Sequence, residues 1–178
     1  MYNIKAFPLP SLDFFLILDC PKVELFPEGG LPSNLKGIRI SFHMGCGLQN
    51  LPFLTDIKIY GKSEVVESFP EEQLLPTSVT FLGIWFFPNL KSLDKKWLQH
   101  LNALEELNIL NCPNLNCMPE QGLPPSLSML SIDDCPLLKK KLQSKKGKEW
   151  RKIAHVEHIK IDYKFIEPQF WYVHFSTT

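Results

Sequence analysis

Five cysteines, five histidines and one dense run of lysines are the side chains of this 178-residue sequence with the most chemistry to offer. Thiolates and imidazoles in close pairs would hold a tetrahedral zinc ion, which asks for spacings such as Cys-x-x-Cys repeated once. Cys112 and Cys117 have four residues between them and no second pair at matching distance, so the zinc pattern fails. His155 and His158 have two residues between them, and on a strand those positions point to opposite faces, which rules out a shared ion. Tyr60-Gly61-Lys62-Ser63 ends like a phosphate-binding loop, but Asp56 stands where the first glycine is required. Neither a Gly-x-Ser-x-Gly elbow nor a His-Glu-x-x-His helix occurs. The expectation is a non-catalytic protein with no metal, no cofactor and no small-molecule substrate.

The lysine run is Lys139, Lys140, Lys141, Lys145, Lys146, Lys148, Arg151 and Lys152, interrupted by a single acid, Glu149. A run of one sign suits nucleic acid or anionic lipid. It equally suits the polar outer face that the last unit of a repeat array needs, and that reading is preferred, which argues against nucleic acid. The formal net charge of zero conceals this run: residues 1–138 carry 9 Lys+Arg and 15 Asp+Glu, residues 139–178 carry 10 and 4. An acidic body therefore ends in a basic cap. With 44% apolar and 21% charged residues the chain has the composition of a folded domain. The longest purely apolar stretch, Phe14 to Leu18, is five residues between Asp13 and Asp19, so no membrane span is expected. Pro8 and Pro10 stand where a secretory signal would place its apolar stretch. An odd cysteine count and the absence of an Asn-x-Ser/Thr sequon favour a reducing compartment.

The elements that position these residues come from an internal repeat. An apolar residue, two others, an apolar, one other and an apolar recur as Leu12/Phe15/Ile17, Leu35/Ile38/Ile40, Leu54/Ile57/Ile59, Val79/Leu82/Ile84, Leu104/Leu107/Ile109, Leu127/Leu130/Ile132 and Val156/Ile159/Ile161. Successive copies start 23, 19, 25, 25, 23 and 29 residues apart, mostly inside the period of leucine-rich repeats. The period-two ending of each hexad predicts one short strand per repeat. Cys-Pro or Phe-Pro then stops it, because proline cannot donate to a ladder. Proline-broken returns such as Pro119-Glu120-Gln121-Gly122-Leu123-Pro124 leave no room for long helices. One helix is expected over Asp94 to Ala103, where Leu93, Trp97, Leu98 and Leu101 fall at helical spacing. Cys20, Cys112 and Cys135 each lie three residues after the last strand apolar, where a small side chain turns inward, so they are read as core. Leu138, Leu142, Trp150 and Ile153 should pin the basic segment over the last hydrophobic layer.

Three features resemble the C-terminal repeats of plant intracellular immune receptors, the coiled-coil class of nucleotide-binding leucine-rich-repeat disease resistance proteins. They are the strand leading into Cys112-Pro113-Asn114-Leu115, the return Met118-Pro119-Glu120-Gln121-Gly122-Leu123-Pro124-Pro125-Ser126-Leu127, and the closing stretch from Cys135-Pro136-Leu137-Leu138-Lys139 to His155-Val156-Glu157-His158-Ile159-Lys160-Ile161-Asp162. The resemblance covers about residues 11 to 162. It implies an α/β solenoid, a leucine-rich-repeat horseshoe with a parallel sheet on its concave face and irregular or short helical convex segments. The expected organisation is an N-terminal segment (1–10), about six repeats (11–138), a basic cap with the last strand (139–162) and an unmatched aromatic tail (163–178). Residues Ser41 to Gly47 lack the Cys-Pro turn, and ten residues before Leu12 cannot hold a coiled coil and a nucleotide-binding module. A repeat-only fragment or truncated paralogue is therefore expected, with Leu12/Phe15/Ile17 at an exposed edge. By resemblance it would act in plant defence, in the cytoplasm, nucleus or peripherally at the plasma membrane. Its partner would be a pathogen effector, a host guardee or a nucleotide-binding module in trans.

Residues alternating with the buried apolars should face outward: Gly37/Arg39/Ser41, Asp56/Lys58/Tyr60, Phe81/Gly83/Trp85, Glu106/Asn108/Leu110, Met129/Ser131/Asp133 and His158/Lys160/Asp162. Tyr60, Trp85 and Leu110 hold one position in three successive repeats. With Phe81, Glu106, Asn108 and Met129 they form the expected partner-binding surface, since aromatics without a core role are enriched at protein-binding hot spots. A folded-back tail, Phe170 to Phe175, is the competing occupant of that stripe.

Overall fold

Among the described residues, six of the seven repeats enter their strand through the same turn, in which an apolar residue donates its amide three residues back. The pairs are Leu35 to Pro32, Leu54 to Leu51, Val79 to Pro76, Leu104 to Leu101, Leu127 to Pro124 and Val156 to Ile153, at 3.0 to 3.3 Å. This is a computed structural model, and it describes residues 11–18, 31–41, 48–61, 66–68, 75–93 and 98–166. The strands that follow are β1 Phe14–Ile17, β2 Gly37–Ser41, β3 Asp56–Tyr60, β4 Phe81–Trp85, β5 Glu106–Leu110, β6 Met129–Asp133 and β7 His158–Ile161. All seven fall on the hexads read from the sequence. They lie in one sheet in chain order, each parallel to the next.

The register comes from the shared turns. From β1 to β6, one carbonyl of each repeat accepts two consecutive amides of the next: Asp13 from Lys36 and Gly37, Lys36 from Thr55 and Asp56, Thr55 from Thr80 and Phe81, Thr80 from Glu105 and Glu106, and Glu105 from Ser128 and Met129. Similar strand length and a common entry point therefore align the inward rows. Ile38, Ile57, Leu82, Leu107, Leu130 and Ile159 form one row, and Ile40, Ile59, Ile84, Ile109, Ile132 and Ile161 the next. All but Ile161 are buried. Each fully buried Leu or Ile contributes about 1.5–3 kcal/mol, so the core is a stack of nearly identical layers, each bonded only to its neighbours. Cys112 and Cys135 are buried in it, as their repeat position implied; Cys20 lies outside the described residues.

One expectation is corrected. Of the helix expected over Asp94 to Ala103, the described residues Leu98 to His100 form a turn, with Leu101 donating to the Leu98 carbonyl and Asn102 to that of His100. The apolar spacing reflects a coil that buries Leu98, Leu101 and Leu104 from successive turns rather than from one helical face. Residues 94–97 lie outside the described residues, and among the described ones the α-helices occur instead in the cap, as α1 Pro136–Leu142 and α2 Lys148–Arg151. Proline at the start of α1 removes a backbone donor that would have no partner there. Leu138, Leu142, Trp150 and Ile153 are buried beneath these helices, as expected.

The segment read as unmatched contributes a further strand. β8, Lys164–Ile166, pairs antiparallel with β7. Asp162 and Tyr163 between them both have positive φ, 48° and 63°, the backbone of a two-residue hairpin turn. The result is an open, parallel-dominated sheet of eight strands with few helices, consistent with an α/β solenoid and not closed into a barrel. No helix among the described residues is long and apolar enough to cross a membrane.

Candidate functional site

The outward face of the sheet is fixed by the same alternation that buries the inward one. Asp56, Phe81, Glu106, Met129 and His158 lie in one row across β3 to β7, and Tyr60, Trp85, Leu110 and Asp133 in another. Tyr60, Phe81, Trp85, Glu106, Asn108, Leu110 and Met129 are all half-buried. Tyr60 and Trp85 meet edge to face with centroids 5.3 Å apart, and Trp85 Nε1 donates to Asn108 Oδ1 at 2.7 Å. Three of the expected residues, Tyr60, Trp85 and Asn108, thus form a connected group, to which a fourth, Phe81, is joined through Lys58.

Lys58 was read as outward-facing but not as part of the surface, and it is the residue on which the group is built. Its ammonium lies 4.6 Å from the Phe81 centroid and 5.9 Å from that of Trp85, and 3.3 Å from Asp56 Oδ2. Gly83 makes this possible, since a Cβ there would sit 3.1 Å from both Lys58 Cγ and Trp85 Nε1. The lysine stem fills the notch between the two rings, leaving its side chain 12% exposed. A lysine between two rings gains cation–π attraction of about 0.5–2 kcal/mol. The same device recurs on this face with Arg39 over Phe14 at 5.0 Å and Lys160 over Phe165 at 4.4 Å. Desolvation raises the Tyr60 phenol above its ordinary value, against the opposing effect of the Arg39 charge.

Phe86 was missed altogether. It follows β4 with φ of 61°, and stacks on Tyr60 with centroids 6.1 Å apart. Asn111 and Asp134 hold the same place after β5 and β6 with φ of 53° and 54°. Asn and Asp tolerate this left-handed backbone, whereas a bulky side chain there costs about 1–2 kcal/mol. Aligning the three repeats would have shown a phenylalanine where the others carry Asn and Asp.

The basic run does not form one surface. Lys152 turns inward: its ammonium donates to Glu149 Oε1 at 2.9 Å and to the Met118 carbonyl at 2.8 Å, while Glu149 Oε2 accepts the Met118 amide at 2.7 Å. Both side chains are at most 10% exposed, so this pair clamps the return segment to α2. Lys139 pairs with Asp162, and Lys141 reaches Asn116 Oδ1 at 3.4 Å. Lys148 and Arg151 border a cleft of about 630 Å3 against Glu120 to Pro125, while Lys145 lies with Lys139 and Lys164 around a second cavity. Lys140 and Lys146 are exposed.

A hydrogen bond between the free Cys112 and Cys135 thiols, together with burial, pushes the Cys112 thiol upward. His155 bonds the Pro124 carbonyl at 3.1 Å, and His158 lies 3.7 Å from Glu157, so the two imidazoles serve separate neighbours.

No protein-family model matches the sequence, and no solved structure matches it. The chain is 38% identical over 185 aligned positions to a disease resistance protein of Arabidopsis thaliana, an alignment covering 87% of this chain and 13% of that protein. A second Arabidopsis protein, named for variation in compound triggered root growth response, is 37% identical over 71 positions, covering 40% of this chain and 6% of its own length. The chain thus spans only a small part of the curated relatives it matches. In keeping with the resemblance carried by its Cys-Pro turns and closing stretch, the chain is related over most of its length to a region of a plant disease resistance protein.

Proposed function

We propose that the chain is a leucine-rich-repeat horseshoe that acts in plant defence by binding a protein through its concave face, without catalysis. The observation that carries this reading is the cluster of Tyr60, Phe81, Trp85 and Phe86 on the outward face, held by Lys58 and Asn108. Aromatic side chains that are half-buried, rigidly held and not needed by the core match the residues that dominate protein interfaces. Phe86 strengthens the reading, since a bulky ring occupies the left-handed backbone position that the next two repeats give to Asn111 and Asp134, which tolerate it better. Leu110, Glu106 and Met129 continue the surface toward the cap. The relative's name supports a defence role, and the partner classes remain an effector, a host guardee or a nucleotide-binding module in trans, met in the cytoplasm.

The test compares proteins captured from plant extract by the wild-type chain, by Trp85→Ala and by Gln121→Ala, an exposed change on the opposite side. The expected outcome is a partner kept by Gln121→Ala and lost by Trp85→Ala, with both variants folded. A partner kept by Trp85→Ala sinks the proposal. Unfolding of Trp85→Ala would instead mean that the indole is needed by the core.

A further inference from the structure

The turn that closes β5 is repeated, position for position, by the turn that closes β6. Leu110 is in register with Asp133, and the residues after them, Asn111 and Asp134, share a left-handed backbone with φ of 53° and 54°. Cys112 and Cys135 come next. Each thiol donates to the carbonyl two residues before it, that of Leu110 at 3.6 Å and that of Asp133 at 3.3 Å. Equivalent residues of adjacent parallel strands lie about 4.7–4.9 Å apart. A disulfide needs its two Cα atoms roughly 4.4–6.8 Å apart, so the spacing of the two repeats fits that bond. Both thiols are free, and both are buried.

Packing alone does not ask for this pair. In the preceding repeat the same position, after Trp85 and the left-handed Phe86, holds Phe87, which is fully buried. Cys117 is half-buried, and its thiol faces the Lys91 carbonyl at 3.9 Å instead. The two thiols of the pair are also unequal. The hydrogen bond between them, acting against burial, holds the Cys135 thiol below its ordinary value, while the same bond and burial raise that of Cys112. The lower thiol supplies the thiolate that attacks an oxidant, and its neighbour is placed to resolve the product. Burial excludes a bulky oxidant, whereas hydrogen peroxide is small and uncharged.

We propose that Cys112 and Cys135 form a peroxide-sensitive modification site, whose oxidation to a disulfide fastens the cap to the repeat before it. The Cys135 sulfur attacks hydrogen peroxide, the O–O bond breaks, and a sulfenic acid and one water form. The Cys112 sulfur then attacks the sulfenic sulfur. An S–S bond replaces the S–O bond, and the hydroxide released takes the Cys112 proton as a second water. Two electrons pass from the thiols to the peroxide, and the new bond ties the β5 repeat to the residue that precedes α1. Where thiols are otherwise kept reduced, such a bond is transient and reports oxidant. The site does not depend on the protein-binding reading of the outward face.

The test exposes the folded full chain to hydrogen peroxide, blocks the remaining thiols with N-ethylmaleimide and maps the peptides by mass spectrometry after cleavage at Glu120, which separates the two cysteines. The expected product is a bond joining Cys112 to Cys135, reversed by dithiothreitol, formed equally by Cys117→Ser and lost in Cys112→Ala. The wild-type map decides should Cys112→Ala not fold. Backbone amides of α1 should exchange at least about tenfold more slowly in the oxidised chain. Pairing of either residue with any other cysteine, sulfinic acid at Cys135 with Cys112 unmodified, or thiols that stay free until the chain unfolds each overturn the proposal. So does unchanged exchange in α1, since the bond would then have no hold on the cap.

Discussion

The two ends of the sheet present the same kind of apolar row to very different surroundings. At β7, Ile159 is buried beneath α1 and α2, with Leu138, Leu142, Trp150 and Ile153 completing the layer. At β1, Leu12, Phe15 and Ile17 are only half-buried, and Phe14 and Leu16 are 42% and 56% exposed. Among the described residues no strand lies outside β1. The strands themselves are alike, so the difference does not come from them. A parallel layer satisfies its neighbours on both sides or not at all, and an end needs separate residues to finish it. Here those residues are a proline-started helix, a buried Glu149–Lys152 clamp and a hairpin strand.

Substitution at equivalent positions sharpens this contrast most strongly. Leu107→Ala, in the fully buried middle of the inward row, should cost about 3–4 kcal/mol through lost transfer energy and a cavity. Phe15→Ala, at the open end, should cost less than half as much when denaturant midpoints are compared. Equal losses would mean that β1 is as well covered as β5.

The clamp is the next test. Glu149→Ala leaves the Lys152 ammonium in a site where its side chain is 8% exposed, and removing one partner of such a pair costs about 3 kcal/mol. Glu149→Ala combined with Lys152→Met should recover much of that loss. Hydrogen exchange should report the damage in α2 and the Met118 segment before it reaches β3.

A smaller effect separates the repeats by their left-handed residue. Asn111→Ala should destabilise the chain by about 1 kcal/mol, because alanine disfavours a φ of 53°. Phe86→Asn relieves comparable strain but loses its stacking on Tyr60, so the unfolding midpoint should move by less than half that amount. A large loss at Phe86→Asn would make that ring a structural element rather than a recognition one.

The smallest concerns the hairpin's tie to α1. The bond from Lys139 holds the Asp162 carboxyl below the ordinary aspartate value. A depressed carboxylate contributes stability above its unfolded value of about 3.9, and that contribution disappears as pH falls through the lower folded value. An NMR titration should place Asp162 below the ordinary aspartate midpoint, and Lys139→Gln should raise it. An unchanged midpoint in that variant would show that the ion pair does not form in solution.

Much of this was written in apolar spacing. Hexads such as Leu104/Leu107/Ile109 dictate a strand, its inward face and its place in the series, because period-two alternation and a proline stop depend on nearby residues only. The outward row of Tyr60, Trp85 and Leu110 followed from the same alternation. Pairings between residues more than twenty positions apart were beyond such reading: Lys58 settling between Phe81 and Trp85, Asn108 accepting from Trp85, and Lys152 turning inward toward Met118. A lysine's type suggests solvent, and only the notch left by Gly83, or the carbonyl of Met118, explains why these two lie elsewhere. The hairpin at Asp162-Tyr163 was hidden for a related reason, since neither residue is glycine and its backbone is held by distant groups. Tyr163 donates its amide to Asp133 at 2.7 Å, and Asp162 accepts that of Asp134 at 3.2 Å. Local periodicity thus specifies the layers, while their closure and the identity of the exposed surface depend on contacts that exist only once the layers are stacked.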